Sequence, residues 1–186
     1  MSDVRGYSGI AETADLTVLA GQLNEHRAEM NGVILGRGGT VMQFVGDSVM
    51  AVFGAPWPQA DHADRAVMTA QAMHAAQAAV NERWAAESLP PFCLGIGLST
   101  GVVAAALLGS TERVEYSLVG DSVNLAQRLQ QLAAGGQTIL SEPTARALAS
   151  PVNADVLPPT TVKGRHTPVT AYRLAATASA TPGAGP

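Results

Sequence analysis

Two acidic residues stand where the chain reverses direction. Asp3 lies in Met1-Ser-Asp-Val-Arg-Gly-Tyr7 and Asp47 in Phe44-Val-Gly-Asp-Ser-Val-Met50. Carboxylates at neighbouring strand ends supply the hard oxygen donors that Mg2+ or Mn2+ takes at a phosphate site. Arg5, Gly6 and Tyr7 follow Asp3 at once and lead into a helical pattern. Backbone amides at such a glycine-containing turn can cradle phosphate oxygens. Metal and phosphate together point to nucleotide chemistry. Taken singly, Asp47 is an ordinary turn aspartate and Asp3 a residue ahead of a helix.

A second constellation is Tyr116-Ser-Leu-Val-Gly-Asp-Ser-Val-Asn-Leu-Ala-Gln-Arg-Leu129. Gly120 makes a turn, and Asp121 or Ser122 is expected to cap the helix that follows. Asn124 and Arg128 are four apart and share a helical face. A neutral donor beside a fixed cation can hold a sugar and a phosphorane. In isolation the pair also reads as solvated helix surface.

These residues need elements to hold them. Helical spacing runs from about 14 to 36, with Asp15 as N-cap and Leu16, Leu19, Leu23, Met30 and Ile34 as the apolar stripe. Gly36-Arg-Gly-Gly39 ends it. Thr40–Val45 and Val49–Phe53 read as a hairpin around Gly46-Asp47-Ser48. A second helix covers 61–87 and stops at Leu89-Pro-Pro91. Leu94–Thr100 and Gly101–Leu108 read as strands joined by a turn, 110–114 as an exposed loop, and Tyr116–Val119 as a strand. A third helix covers Ser122–Ala133, then a strand at Thr138–Leu140, a short helix at 142–149 and a terminal hairpin of Val162–Arg165 with Val169–Leu174. The order β-α-β-β-α-β, with extra strands and helices, predicts an α+β, ferredoxin-like core: helices on one face of a mainly antiparallel sheet. That order brings the Asp3 strand beside the hairpin carrying Asp47.

Composition narrows the field. A chain of 186 residues, 47% hydrophobic and 14% charged, is one globular domain rather than a disordered segment. The net charge of −4 and only 4% aromatic residues argue against a nucleic-acid partner, which needs a basic footprint and stacking platforms. No apolar run approaches the roughly 18 residues of a membrane span, and no signal-peptide pattern opens the chain. Cys93, the single cysteine, sits in an apolar run and is expected to be a buried thiol in a reducing, cytoplasmic setting. Residues 175–186, all Ala, Thr, Ser, Pro and Gly, read as a disordered tail.

Together the motifs resemble the class III nucleotidyl cyclase catalytic domain, the family of adenylyl and guanylyl cyclases. The pieces occur in family order from Asp3 to about Leu174: Ser2-Asp-Val-Arg-Gly-Tyr7, Val45-Gly-Asp-Ser-Val-Met-Ala-Val-Phe-Gly54, Asp61-His-Ala-Asp-Arg-Ala-Val67, Gly95-Ile-Gly-Leu-Ser-Thr-Gly101, Leu118-Val-Gly-Asp-Ser-Val-Asn-Leu-Ala-Gln-Arg-Leu129 and Val162-Lys-Gly-Arg165. The resemblance implies one catalytic domain over 1–174. Asp3 and Asp47 match the two metal aspartates, with the Val4 carbonyl completing one of two Mg2+ or Mn2+ sites. Asn124 matches the residue that orients the ribose, and Arg128 the one that stabilises charge on the α-phosphate. Arg65 and Lys163 match phosphate-binding positions. The resemblance also implies a head-to-tail homodimer with sites shared between chains, ATP or GTP as substrate, and a regulatory domain in a longer protein.

Two departures bear on the base. The family adenine-reading lysine is here Gln43, and its aspartate is Ser117, as in the subgroup called class IIIb. Lysine only donates and aspartate only accepts, a pair that selects adenine. Glutamine and serine can each do both, so neither rejects guanine strongly. A preference for ATP with weak rejection of GTP is the expectation; Gln43 facing solvent as a plain strand residue is the alternative. The pattern of the first strand is nearly absent before Asp3, so that strand is expected to be truncated. Other readings are a cyclase-fold dimerisation or nucleotide-sensing module, a diguanylate cyclase or polymerase-palm relative, and an RNA-binding ferredoxin-like domain. The Gly-Gly-acidic-acidic-Phe turn of the second alternative is replaced by Gly46-Asp47-Ser48.

Overall fold

The computed structural model describes residues 1–109, 114–159 and 168–175. In chain order the elements are β1 (Ser2–Val4), α1 (Tyr7–Thr13), α2 (Leu16–Leu35), β2 (Thr40–Val45), β3 (Ser48–Val52), α3 (His62–Ala86), β4 (Leu94–Leu98), β5 (Ala104–Gly109), β6 (Val114–Val119), α4 (Asp121–Leu132), β7 (Gln137–Ser141), α5 (Glu142–Arg146), β8 (Ala154–Val156) and β9 (Ala171–Leu174).

Seven strands form one sheet in the order β2-β3-β1-β4-β7-β9-β8. Its first four strands, all antiparallel neighbours, are the ferredoxin-like core. β7 extends it parallel to β4, and β9 and β8 close the far edge antiparallel. β5 and β6 pair only with each other, as a separate ribbon. β4 and β5, expected as strands joined by a turn, are both strands, but the chain leaves the sheet after Leu98. β9 pairs with β7 and β8, and the proposed partner strand 162–165 lies outside the described residues.

Strand alternation sorts the two faces. Leu94 and Ile96 of β4, with Val4 of β1 and Val49 of β3, join Met30 and Ile34 of α2 and Met73 and Val80 of α3 in the main core. Gly95 and Gly97 point the other way. A Cβ on Gly97 would fall 2.2 Å from Ala126 O and Gln130 N, so α4 rests directly on the strand backbone. Helices therefore cover both faces, not one: α2 and α3 on one side, α4 on the other. Leu125, Leu129, Ile139 and Ala171 form a second core beneath α4.

Local signals hold in part. Asp15 Oδ1 caps α2 by accepting from Thr17 N and Val18 N. Leu16, assigned to the buried stripe, is 73% exposed at the start of α2, whereas Gln22 and His26 are buried with hydrogen-bond partners. Gly120, not Asp121 or Ser122, takes the N-cap position of α4. Cys93 is exposed, because Phe92 and Leu94 on either side take the inward positions.

β1 is only three residues long. The Met1 amino group donates to Gly97 O at 3.1 Å, and Met1 O accepts from Gly97 N at 2.8 Å. Between β3 and β4 lies a slot of about 650 Å³, lined by Ile34, Met50, Val52, Met73, Leu98 and Ala126 among others. At Ser2 the same gap is filled by one strand, paired to Val49 on one side and Ile96 on the other.

Candidate active site

Asp3 lies on the α4 face of β1, and Asp47 lies in the two-residue turn between the paired ends Val45 and Ser48. Gly46 supports that turn with φ 59°, a left-handed conformation favouring glycine. Arg27 of α2 braces it, donating to Gly46 O and lying over the Phe44 ring at 5.3 Å. Asp47 Oδ2 accepts from Val4 N at 3.0 Å. The Asp3 carboxylate accepts from Ser48 Oγ at 2.6 Å, from Arg5 Nη2 at 2.9 Å and from Gln130 Nε2 at 3.2 Å. The two acids, 44 positions apart in sequence, meet at one place: Asp47 accepts from the backbone of Val4, the residue after Asp3, and Asp3 from Ser48, the residue after Asp47.

Burial, then the neighbouring Asp3 carboxyl, pushes the Asp47 carboxyl up to about 6, against the pull of Val4 N–H. Burial also works against ionisation of Asp3. The neighbouring Asp47, the Ser48 hydroxyl, the Arg5 charge and Gln130 together outweigh it and hold Asp3 below its ordinary value. Of the two, Asp3 ionises first beside Arg5, and Asp47 keeps its proton to higher pH. Two carboxylates at one place are a donor set matched to a divalent ion. Among the described residues no three His, Cys, Asp or Glu side chains come together. The two carboxylates would supply hard oxygen donors, the kind that Mg2+ and Mn2+ take.

The other candidates are placed as follows. Arg5 turns inward over Gly95, where a Cβ would fall 2.7 Å from its Nε, and its guanidinium is spent on Asp3. Gly6, at φ 73°, opens α1, and the Tyr7 ring packs edge-on against Phe92. Arg65 pairs with Asp61 at 2.8 Å and donates to Arg37 O, just ahead of β2. Asp47 follows the other end of β2, so Arg65 and the carboxylates stand a strand length apart. Gln43 is exposed on the outer strand β2, beside a register shift between Val41 and Gln43. Ser117 pairs with Ala106 in the ribbon and is half-buried. Lys163 lies outside the described residues.

Asn124 is exposed and Arg128 half-buried on α4. Successive helical residues turn by about 100°, so these two lie within about 40° of each other. Gln130, bonded to Asp3, lies about 160° round from Arg128 on that geometry. The face bearing Asn124 and Arg128 thus points away from the carboxylates of its own chain.

Residues 1–176 match the family described as "Adenylate and Guanylate cyclase catalytic domain". The chain belongs to this cyclase catalytic-domain family. Adenylate cyclase 1 of Rhizobium meliloti (strain 1021) is 33% identical over 129 residues, covering 69% of this chain and 19% of that protein's length. The cyclase domain here therefore spans about a fifth of that relative. The solved guanylyl cyclase Cya2 is 34% identical with a TM-score of 0.89, covering 93% of this chain and 88% of its own. The adenylyl cyclase CyaB from P. aeruginosa is 30% identical with a TM-score of 0.90, covering 94% and 90%. Both adenylyl and guanylyl enzymes thus stand among the near relatives of this cyclase domain.

Three residues around the carboxylates were not singled out from sequence: Ser48, Gln130 and Arg27. Ser48 had a signal, its position next to Asp47. Gln130 and Arg27 read as helix surface until the packing of α4 and α2 is known.

Proposed function

We propose that this cyclase domain converts ATP to 3′,5′-cyclic AMP and pyrophosphate, at sites completed by a second copy of the chain. The observation that carries the reading is the meeting of Asp3 and Asp47 on β1 and the β2–β3 turn, with Asn124 and Arg128 turned away on the far face of α4. A head-to-tail homodimer would set each chain's carboxylates opposite its partner's Asn124 and Arg128, giving two equivalent sites.

Two Mg2+ or Mn2+ ions held by Asp3, Asp47 and the Val4 carbonyl would lower the pKa of the ribose 3′-hydroxyl and neutralise the triphosphate. Asn124 orients the ribose so that the 3′-oxygen faces the α-phosphorus. Arg128 stabilises the charge gathering on the α-phosphate oxygens as pyrophosphate leaves; losing such a donor costs on the order of 3–4 kcal/mol of barrier. The first-turn amides after Gly6 and Tyr7 are free of a side-chain cap and would be donors for the phosphates. Gln43 and Ser117 read the base, each able to donate or accept. That amphoteric pair favours a second reading, turnover of GTP as well. No described helix is long and apolar enough to cross a membrane; a cytoplasmic setting supplies the nucleotide, and a regulatory domain in a longer protein would act through the dimer.

The test is incubation with ATP or GTP, with Mn2+ or Mg2+, resolving products across a range of protein concentration. Cyclic AMP in excess, with specific activity rising as dimers form, is the expected result. Guanylate product in excess would reverse the substrate assignment. Full activity in a protein shown to be monomeric would end the shared-site reading.

A further inference from the structure

The Asp3 carboxylate has three side-chain donors, and they are not equivalent. Arg5 neutralises it, and so opposes a metal for the same charge. Ser48 sits on the hairpin that also carries Asp47. Gln130 is a neutral donor from a third element, and it is 4% exposed, a buried polar side chain on an otherwise amphipathic helix. A carboxylate oxygen only accepts, so the amide nitrogen faces Asp3. A buried amide of this kind needs its partner.

The approach that makes the bond is built in. Gly97 and Gly95 remove the side chains that would hold α4 off β4, and Gln130 N lies where a Cβ of residue 97 would be. From there the Gln130 side chain reaches across to β1.

We propose that Gln130 is a positioning residue for the metal-binding carboxylate Asp3, and that through it α4 ties one chain's metal site to the face bearing Asn124 and Arg128. A neutral donor fixes the orientation of a ligating carboxylate without cancelling the charge the metal needs. This inference rests on the metal reading of Asp3 and Asp47.

The test uses the whole chain with Gln130→Leu, and with Gln130→Met as an unbranched variant of similar length that keeps the test decisive if leucine does not fold. Mn2+ affinity is read without nucleotide, from loss of the free-ion paramagnetic resonance signal on titration with protein, beside the melting temperature. The expected result is Mn2+ binding weakened about tenfold, as for other residues that orient metal ligands. In turnover assays the metal concentration for half-maximal rate rises by the same factor, while the rate at saturating metal changes little. Unchanged Mn2+ affinity in a folded variant would overturn the role of Gln130 alone. Failure of the unsubstituted protein to bind Mn2+, or undiminished binding by Asp47→Asn, would overturn the metal reading and this inference with it.

Discussion

At the scale of single residues, the fold brings two acids to one half-buried place where Asp3 disfavours the charge of Asp47. Asp47 titrates near 6 because burial and Asp3 both resist its charge. A carboxyl whose folded pKa is raised binds its proton more tightly folded than unfolded. Folding is therefore favoured at low pH and penalised as pH rises through about 6. Asp47→Asn removes that penalty and keeps an oxygen for Val4 N–H. At pH 7.5 the variant is expected to melt at or above the temperature of the parent, while turnover falls by at least about 100-fold. Calorimetry and a cyclic-nucleotide assay on one preparation check both halves. A variant that loses stability along with activity would mean that Asp47 is a structural turn residue. The two acids were legible in sequence because each stood beside a turn in a recognisable order. Ser48 and Gln130 were not, since a serine in a turn and a glutamine in a helix look the same whether they face water or a carboxylate.

At the scale of elements, the decisive contact is α4 on β4. Gly97→Ala would place a methyl carbon 2.2 Å from backbone atoms of Ala126 and Gln130, which cannot swing aside as a side chain could. The expected cost is about 3 kcal/mol, the upper part of the range for overpacking, measurable as a lower urea midpoint, with Mn2+ affinity lost in step as Gln130 is lifted from Asp3. The β4 sequence Gly95-Ile-Gly97 thus encodes which face receives the third helix, a point that strand alternation alone could not reveal, and the expectation of helices on one face failed there. The strands β5 and β6 were legible as strands, but not their pairing into a separate ribbon, which only the departure of the chain after Leu98 makes. The α2 stripe erred in the opposite sense. His26 is completely buried, its Nδ1 donating to Gln77 Oε1 at 2.7 Å, so a polar type took an inward position. Burial pushes the His26 pKa below its ordinary 6.5, and burial does the same to His74. Each histidine binds its proton less tightly folded than unfolded, so stability is full above 6.5 and is lost as pH falls through that value. Urea midpoints at pH 7.5 and pH 5.5 should differ, and His26→Leu should narrow the difference; an equal difference in that variant would remove His26 as a cause.

At the scale of the whole molecule, the proposed site is split: the carboxylates lie on β1 and the β2–β3 turn, and Asn124 and Arg128 lie on the face of α4 turned from them. On that reading Asp47→Asn chains would lack the metal half and Arg128→Ala chains the transition-state half. Mixed dimers should regain one intact site each, so an equimolar mixture of two inactive proteins recovers about a quarter of the parent activity if chains pair at random. Verified mixed dimers without activity would show that each site is built within one chain. Asn124 and Arg128 were readable by their spacing on α4, but only the fold shows their face turned from Asp3 and Asp47. The slot between β3 and β4 is apolar and borders Ser2, one residue from Asp3. A dye that brightens in apolar surroundings, seated there, would report by its colour on the strand that carries this carboxylate.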